Sequence, residues 1–189
     1  MALRTAAALL LVAALTTASG CVPSEYPLSD EKTSKVDPQL VGRWVKDGRK
    51  NPAVLVVTEK AGQNCLEAKE GGEPGTTTIF TTTIGNLHYL SAMERYEEGE
   101  FGYYIMLYEL VDNDTLSVYD LDPEIVAKAI ADGQLAGIVG TERVGFIFTR
   151  VRRTAQLITD SREHLVAYLT KHGKDCFERT PITYRRKAE

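Results

Sequence analysis

From Leu40 onward the chain is a run of short segments rich in apolar, β-branched and aromatic residues, each closed by a turn signal. Residues 40–45 (LVGRWV) stop at Lys46-Asp47-Gly48, and 53–59 (AVLVVTE) stop at Ala61-Gly62-Gln63-Asn64. Residues 65–69 close at the glycine-rich 70–75, and 76–84 (TTTIFTTTI) turn through Gly85-Asn86 into 87–95. Residues 102–110 (GYYIMLYEL) are apolar on both alternating faces, which places them mid-sheet, and Asp112-Asn113-Asp114 turns them into 115–121. Closely spaced strands with tight turns are the pattern of an antiparallel barrel or sandwich.

Two helices interrupt the strands. Asp122-Pro123-Glu124 has an Asp cap, Pro at the first helical position and an acid in the first turn, so a helix should run to Asp132 and stop at Gly133. Ile125, Val126, Ala129 and Ile130 form its apolar stripe. Residues 134–140 read as a glycine-rich loop, and 144–152 (VGFIFTRVR) as a strand. A second helix starts at Asp160, with Glu163 three residues on as in a capping box, and ends at Gly173; residues 182–186 form the last strand. The expected fold is therefore mainly β with two helices, an antiparallel barrel or half-barrel of about eight strands. Gly42-x-Trp44, which holds the sole Trp, resembles the Gly-x-Trp of lipocalin-like (calycin) barrels, where the first strand's Trp plugs the closed end. A core Trp of any β domain would also account for it.

The first residues follow a different pattern. Arg4, the only charged side chain before Glu25, precedes the apolar run 6–15, which is too short to cross a hydrocarbon core needing about 20 residues. The run leads to Ala18-Ser19-Gly20-Cys21. This stretch resembles the signal peptide and lipobox of bacterial lipoproteins, with Ala18 where Leu is commonest. The resemblance implies cleavage after residue 20 and acylation of Cys21, with Val22 rather than Asp after it pointing to the outer membrane. Several acyl chains on one cysteine give stable anchoring. An ordinary cleaved leader, with Cys21 kept as a thiol, is the alternative. Residues 22–38, rich in Pro, Ser and charge, read as a flexible tether, which leaves 39–189 as a single β-rich domain.

Removing residues 1–20 from 189 leaves 169, the size of one domain with one core. The mature charge is −5, 21 Lys and Arg (Arg4 being lost) against 26 acids, spread along the chain, which argues against a nucleic-acid partner. In an oxidising envelope Cys65 and Cys176 are expected to pair, a loop closure worth roughly 4–5 kcal/mol, with two buried thiols as the alternative.

Motifs for chemistry are sparse. His164 and His172 are eight residues apart, not a ligand spacing, and His88 has no acidic or thiol neighbour in the sequence, so no metal or other cofactor is expected. Asp112-x-Asp114 and Asp120-x-Asp122 lack the glycine and distal Glu of a calcium loop and read as a turn and a cap. There is no Gly-x-Ser-x-Gly, and no triad can be assembled, so an enzyme is not expected. Tyr89, Tyr96, Tyr103, Tyr104, Tyr108 and Tyr119 fall on three successive expected strands. Tyr103, Tyr104, Tyr108 and Tyr119 are the residues expected to line a pocket for a small apolar ligand, although Tyr at the rim of an ordinary core gives the same pattern. The acidic tip Glu94, Glu97, Glu98 and Glu100 reads as a solvated hairpin end or a contact for a basic partner. Two functions remain: a lipid-anchored carrier with a barrel cavity, or a lipid-anchored interaction module such as an inhibitor, immunity or assembly factor. Pro27-Leu28-Ser29, Leu121-Asp122-Pro123 and residues 159–169 resemble uncharacterised bacterial lipoproteins, a likeness that implies no activity.

Overall fold

The computed structural model describes residues 22–48, 54–72, 75–95, 101–144 and 150–188. Cys21, the acidic tip at 97–100, Tyr96 and Phe146, Ile147 and Phe148 lie outside the described residues.

Eight antiparallel strands close into a barrel: β2 (Gly42–Lys46), β3 (Val54–Glu59), β4 (Leu66–Glu70), β5 (Thr77–Ile84), β6 (Leu87–Arg95), β7 (Phe101–Asp112), β8 (Thr115–Asp120) and β11 (Ile182–Arg186). Each strand pairs with the next, and β11 returns to β2. The architecture is consistent with a lipocalin-like barrel. The turns follow local chemistry. Gly85, at φ 63°, supplies the left-handed residue of the two-residue β5–β6 turn. At the β7–β8 turn, Asp112 accepts a 2.8 Å hydrogen bond from the Asp114 amide.

Between β8 and β11 the chain leaves the barrel to build a second layer: α1 (Pro123–Ala131), β9 (Gly137–Val144), β10 (Arg150–Ile158) and α2 (Arg162–His172). Asp122 caps α1 through the amides of Glu124 and Ile125, with Pro123 at its first turn. The cap of α2 is Ser161, which accepts from the His164 amide. Asp160, expected in that place, instead holds the Ala136 amide at 2.8 Å and the His164 ring at 2.7 Å.

One expectation fails in this layer. Residues 137–140, expected as loop, begin β9; of the strand expected over 144–152, Val144 ends β9, residues 150–152 begin β10, and 145–149 lie outside the described residues. β10 continues through the mixed sequence Arg152–Ile158, where a bulge at Gln156 disturbs the alternation.

The flexible tether over 22–38 is also corrected. Pro23 and Ser24 form β1, wedged between β7 and β10 where β7 runs on past the end of β8. Val22, Leu28, Ser29 and Ser34 are buried. The Leu28 amide donates to Ser91, Ser29 and Ser34 donate to the Thr81 carbonyl, and Arg162 clamps the segment through Pro27 and Asp30. That guanidinium, helped by Thr33, holds the Asp30 carboxyl far below the usual range. The segment is polar because it trades hydrogen bonds with an uncovered stretch of β5, not because it is solvated.

Apolar side chains divide into two cores. One fills the barrel and draws on all eight strands, with Trp44, Val57, Leu66, Ile79, Leu90, Tyr108, Leu116 and Tyr184 among its members. The other lies between the outer face of β6–β8 and the second layer, where Tyr89, Ile105 and Leu107 meet Val126, Ile158, Leu165 and Leu169.

Candidate functional site

Directly paired residues share a face of a sheet, so the register identifies the barrel's lining. Trp44 faces Leu55, Val57 faces Ala68, Leu66 faces Ile79, and Ile79 faces Ala92; Ala92 then faces Tyr104, Leu90 faces Met106, and Tyr108 faces Val118. Ile182 and Tyr184 complete the ring against Val118 and Leu116.

One end of this lining is plugged. The chain crosses it at 35–41, where a 3₁₀ turn at Pro38–Leu40 is capped by Asp37. Thr81 donates to the Lys35 carbonyl, Tyr108 donates to Asp37 at 2.8 Å, and the Trp44 indole donates to the Leu40 carbonyl at 2.8 Å. Burial and the Asp37 carboxylate together push the Tyr108 phenol far above its ordinary pKa, so it stays a donor. Arg186 lies 4.3 Å over the Trp44 ring and donates to the Gln39, Val41 and Asn113 carbonyls. Gly42 lets that guanidinium in: a Cβ there would sit 2.4 Å from Arg186 Nη1. A recess of about 390 Å³ beside the plug is lined by Gln39, Leu110, Asp112, Asn113, Asp114 and Arg186. Its one cation, Arg186, is already committed to carbonyls and to Trp44.

The opposite end is more open. Leu55, Tyr104, Met106, Ile182 and Tyr184 face inward there and are only half-buried, while Trp44 at the plug is 0% exposed. Their polar neighbours on the same face are Lys46, Glu70, Glu94 and Asp120. An apolar lining with accessible surface and a polar rim is what a small hydrophobic guest needs.

The four tyrosines do not share one face. Tyr104 and Tyr108 point into the barrel, at the open end and at the plug respectively, whereas Tyr103 and Tyr119 point to the outer layer. β7 carries both kinds because it is covered on both sides, so apolar content alone did not distinguish them. Tyr119 donates to Glu109, which Lys174 holds at 2.8 Å while lying 4.5 Å over the Tyr119 ring. Lys174, then the Tyr119 hydroxyl, draw the Glu109 carboxyl below its usual range, against burial. Leu55, Ala92, Met106, Ile182 and Tyr184 were not singled out beforehand; strand alternation placed them on a face, but only the register showed that face to be interior.

The expected disulfide is absent: Cys65 and Cys176 are both free and buried. Cys65 precedes β4, whereas the Cys176 carbonyl accepts from Asp122 just past β8, and β4 and β8 lie four strands apart either way round the barrel. The barrel therefore separates them. Burial pushes both thiols up, Cys176 to about 11, so neither is a ready nucleophile.

Around Cys176 are Tyr168, stacked at 4.4 Å on His172, and Tyr89, whose hydroxyl is buried with no hydrogen-bond partner among the described residues. Burial, then the Cys176 thiol, push Tyr89 up to about 12. Keeping that phenol neutral adds stability below its unfolded value of 10.0, and this is lost as pH rises through about 12. Removing an unpartnered buried hydroxyl should cost nothing, so Tyr89→Phe is expected to gain about 1 kcal/mol at neutral pH. Urea unfolding at neutral and alkaline pH measures this, and the variant should lose less stability on the alkaline side than the parent.

Among the described residues no three His, Cys, Asp or Glu side chains are placed to hold a metal ion. No protein-family model, curated protein or solved structure matches the chain. The barrel and its two unequal ends therefore carry the functional reading.

Proposed function

We propose that the protein is an envelope lipoprotein, held by an acylated Cys21 in the outer membrane and facing the periplasm, whose barrel binds a small apolar molecule at its open end. It acts by binding rather than catalysis. The observation that carries the binding is the contrast between the two ends: Trp44 fully buried behind the 35–41 segment at one, and half-buried apolar residues, Leu55, Tyr104, Met106 and Ile182, at the other. An eight-stranded barrel is of a size that is either filled by its own side chains or holds one small guest. The lipobox resemblance at Ala18-Ser19-Gly20-Cys21 supports the anchor.

An uncharged naphthylamine dye that brightens in apolar surroundings tests the cavity. Saturable binding is expected, reduced at least tenfold by Ala92→Trp, which fills the space opposite Tyr104. Overpacking of this kind costs about 1–3 kcal/mol, so the variant's fold is checked by its circular dichroism. Absence of saturable dye binding by the parent protein overturns the carrier reading. In cells fed labelled palmitate, the chain should take up label and Cys21→Ser should not.

A further inference from the structure

An anchor on Cys21 would have almost no slack. Cys21 is one Cα step, about 3.8 Å, from Val22. Val22 is 1% exposed in the outer core, and Pro23 is locked beside Tyr104. A lipidated Cys21 thus brings a particular edge of the domain to the bilayer, with no tether to let it swing away.

That edge carries exposed apolar surface. Ser24 lies beside Ile158, so Pro23 neighbours Leu157, and Leu157 in turn faces Ile138 on β9. The bulge at Gln156 turns this row away from the outer core: Ala155 and Ile158 are buried in that core, while Leu157 is half-buried and Ile138 is 51% exposed on the opposite face, the one Tyr104 shares. Tyr26, two residues past β1, is 47% exposed. The stretch 137–158 has a net charge of +3, four arginines (Arg143, Arg150, Arg152, Arg153) against Glu142, in a chain that is acidic overall. Exposed apolar and aromatic residues, next in sequence to a basic stretch, match an anionic bilayer surface.

We infer that the row Ile138–Leu157–Pro23, which carries the face of Tyr104 past the barrel, is with Tyr26 a membrane-docking face that holds the domain flat on the bilayer, with Tyr104 at the barrel's open end beside it. This rests on the lipidation proposed above. Because Pro23 pairs with Tyr104, a residue of the open-end lining, the barrel would open next to the lipid, which identifies the guest's class as a lipid or an acyl-chain molecule drawn from the membrane.

Full-length protein isolated from membranes is reconstituted into phosphatidylethanolamine–phosphatidylglycerol vesicles with brominated acyl chains, which quench nearby tryptophan. Trp44, buried at the plug, is the constant background. Ile138→Trp should lose most of its added fluorescence. Thr58→Trp, exposed on β3 at the far side of the barrel from β7, should keep its own. If the protein takes up palmitate and floats with the vesicles but both tryptophans respond alike, the docking face is wrong and the anchor stands. If it neither takes up palmitate nor floats, the anchor fails and the docking face with it.

Discussion

Trp44→Ala is expected to destabilise the protein by about 3–5 kcal/mol, measured as a fall in the urea midpoint with little change in slope. Three losses combine at this position. The indole is 0% exposed in the barrel core, so its removal leaves a cavity lined by Leu40, Val57 and Leu116. The Leu40 carbonyl loses its donor. Arg186 loses the ring beneath it, a contact worth about 0.5–2 kcal/mol when partly desolvated. Trp44→Phe keeps the apolar body and drops the donor, so it should recover most of the loss. If the alanine variant cost under 1 kcal/mol, the plug at 35–41 would be a passive cover rather than part of the core.

Ile158→Ala should cost nearly as much, about 2–5 kcal/mol, and should act in a different place. Ile158 is 0% exposed where β10, β1 and the outer core meet, and its carbonyl receives the Glu25 amide at 2.9 Å. Shrinking it should loosen the 22–28 segment ahead of the barrel. In native-state hydrogen exchange the Glu25 and Leu28 amides would lose protection while those of β5 and β6 kept theirs. Uniform loss across the chain would show instead that the two cores unfold as one unit.

How much of this architecture was legible in advance varied with the range of the interactions involved. β5, β6, β7 and β8 follow from turns and propensity that act over a few residues, as Gly85-Asn86 and Asp112-Asn113-Asp114 show. Asp122-Pro123 announces α1 for the same reason. The Trp in Gly42-x-Trp44 lies fully buried in the barrel core and donates to the Leu40 carbonyl of the crossing segment. The second layer was harder. Most of β10, past Arg152, was missed because Gln156 breaks its alternation and because its partners, β9 and β1, sit largely in stretches that read as loop and tether. Residues 22–38 look disordered by composition, yet Ser29 and Ser34 satisfy β5 across intervals of 52 and 47 residues. No local pattern records such pairings. The disulfide failed likewise: a pair of cysteines is a count, and the closed barrel between them is geometry.

The sequence by itself thus determined the class of fold, the position of most barrel strands and both helices, because alternation, caps and turns are short-range physics. It also carries the leader pattern at Cys21. The tertiary structure alone decided that Tyr104 and Tyr108 face inward while Tyr103 and Tyr119 face outward, that one end of the barrel is plugged and the other accessible, and that residues 22–34 pack against the domain. In a closed sheet the meaning of a face depends on register around the whole ring and on which side receives the second layer. Both are settled only when strands far apart in the chain meet.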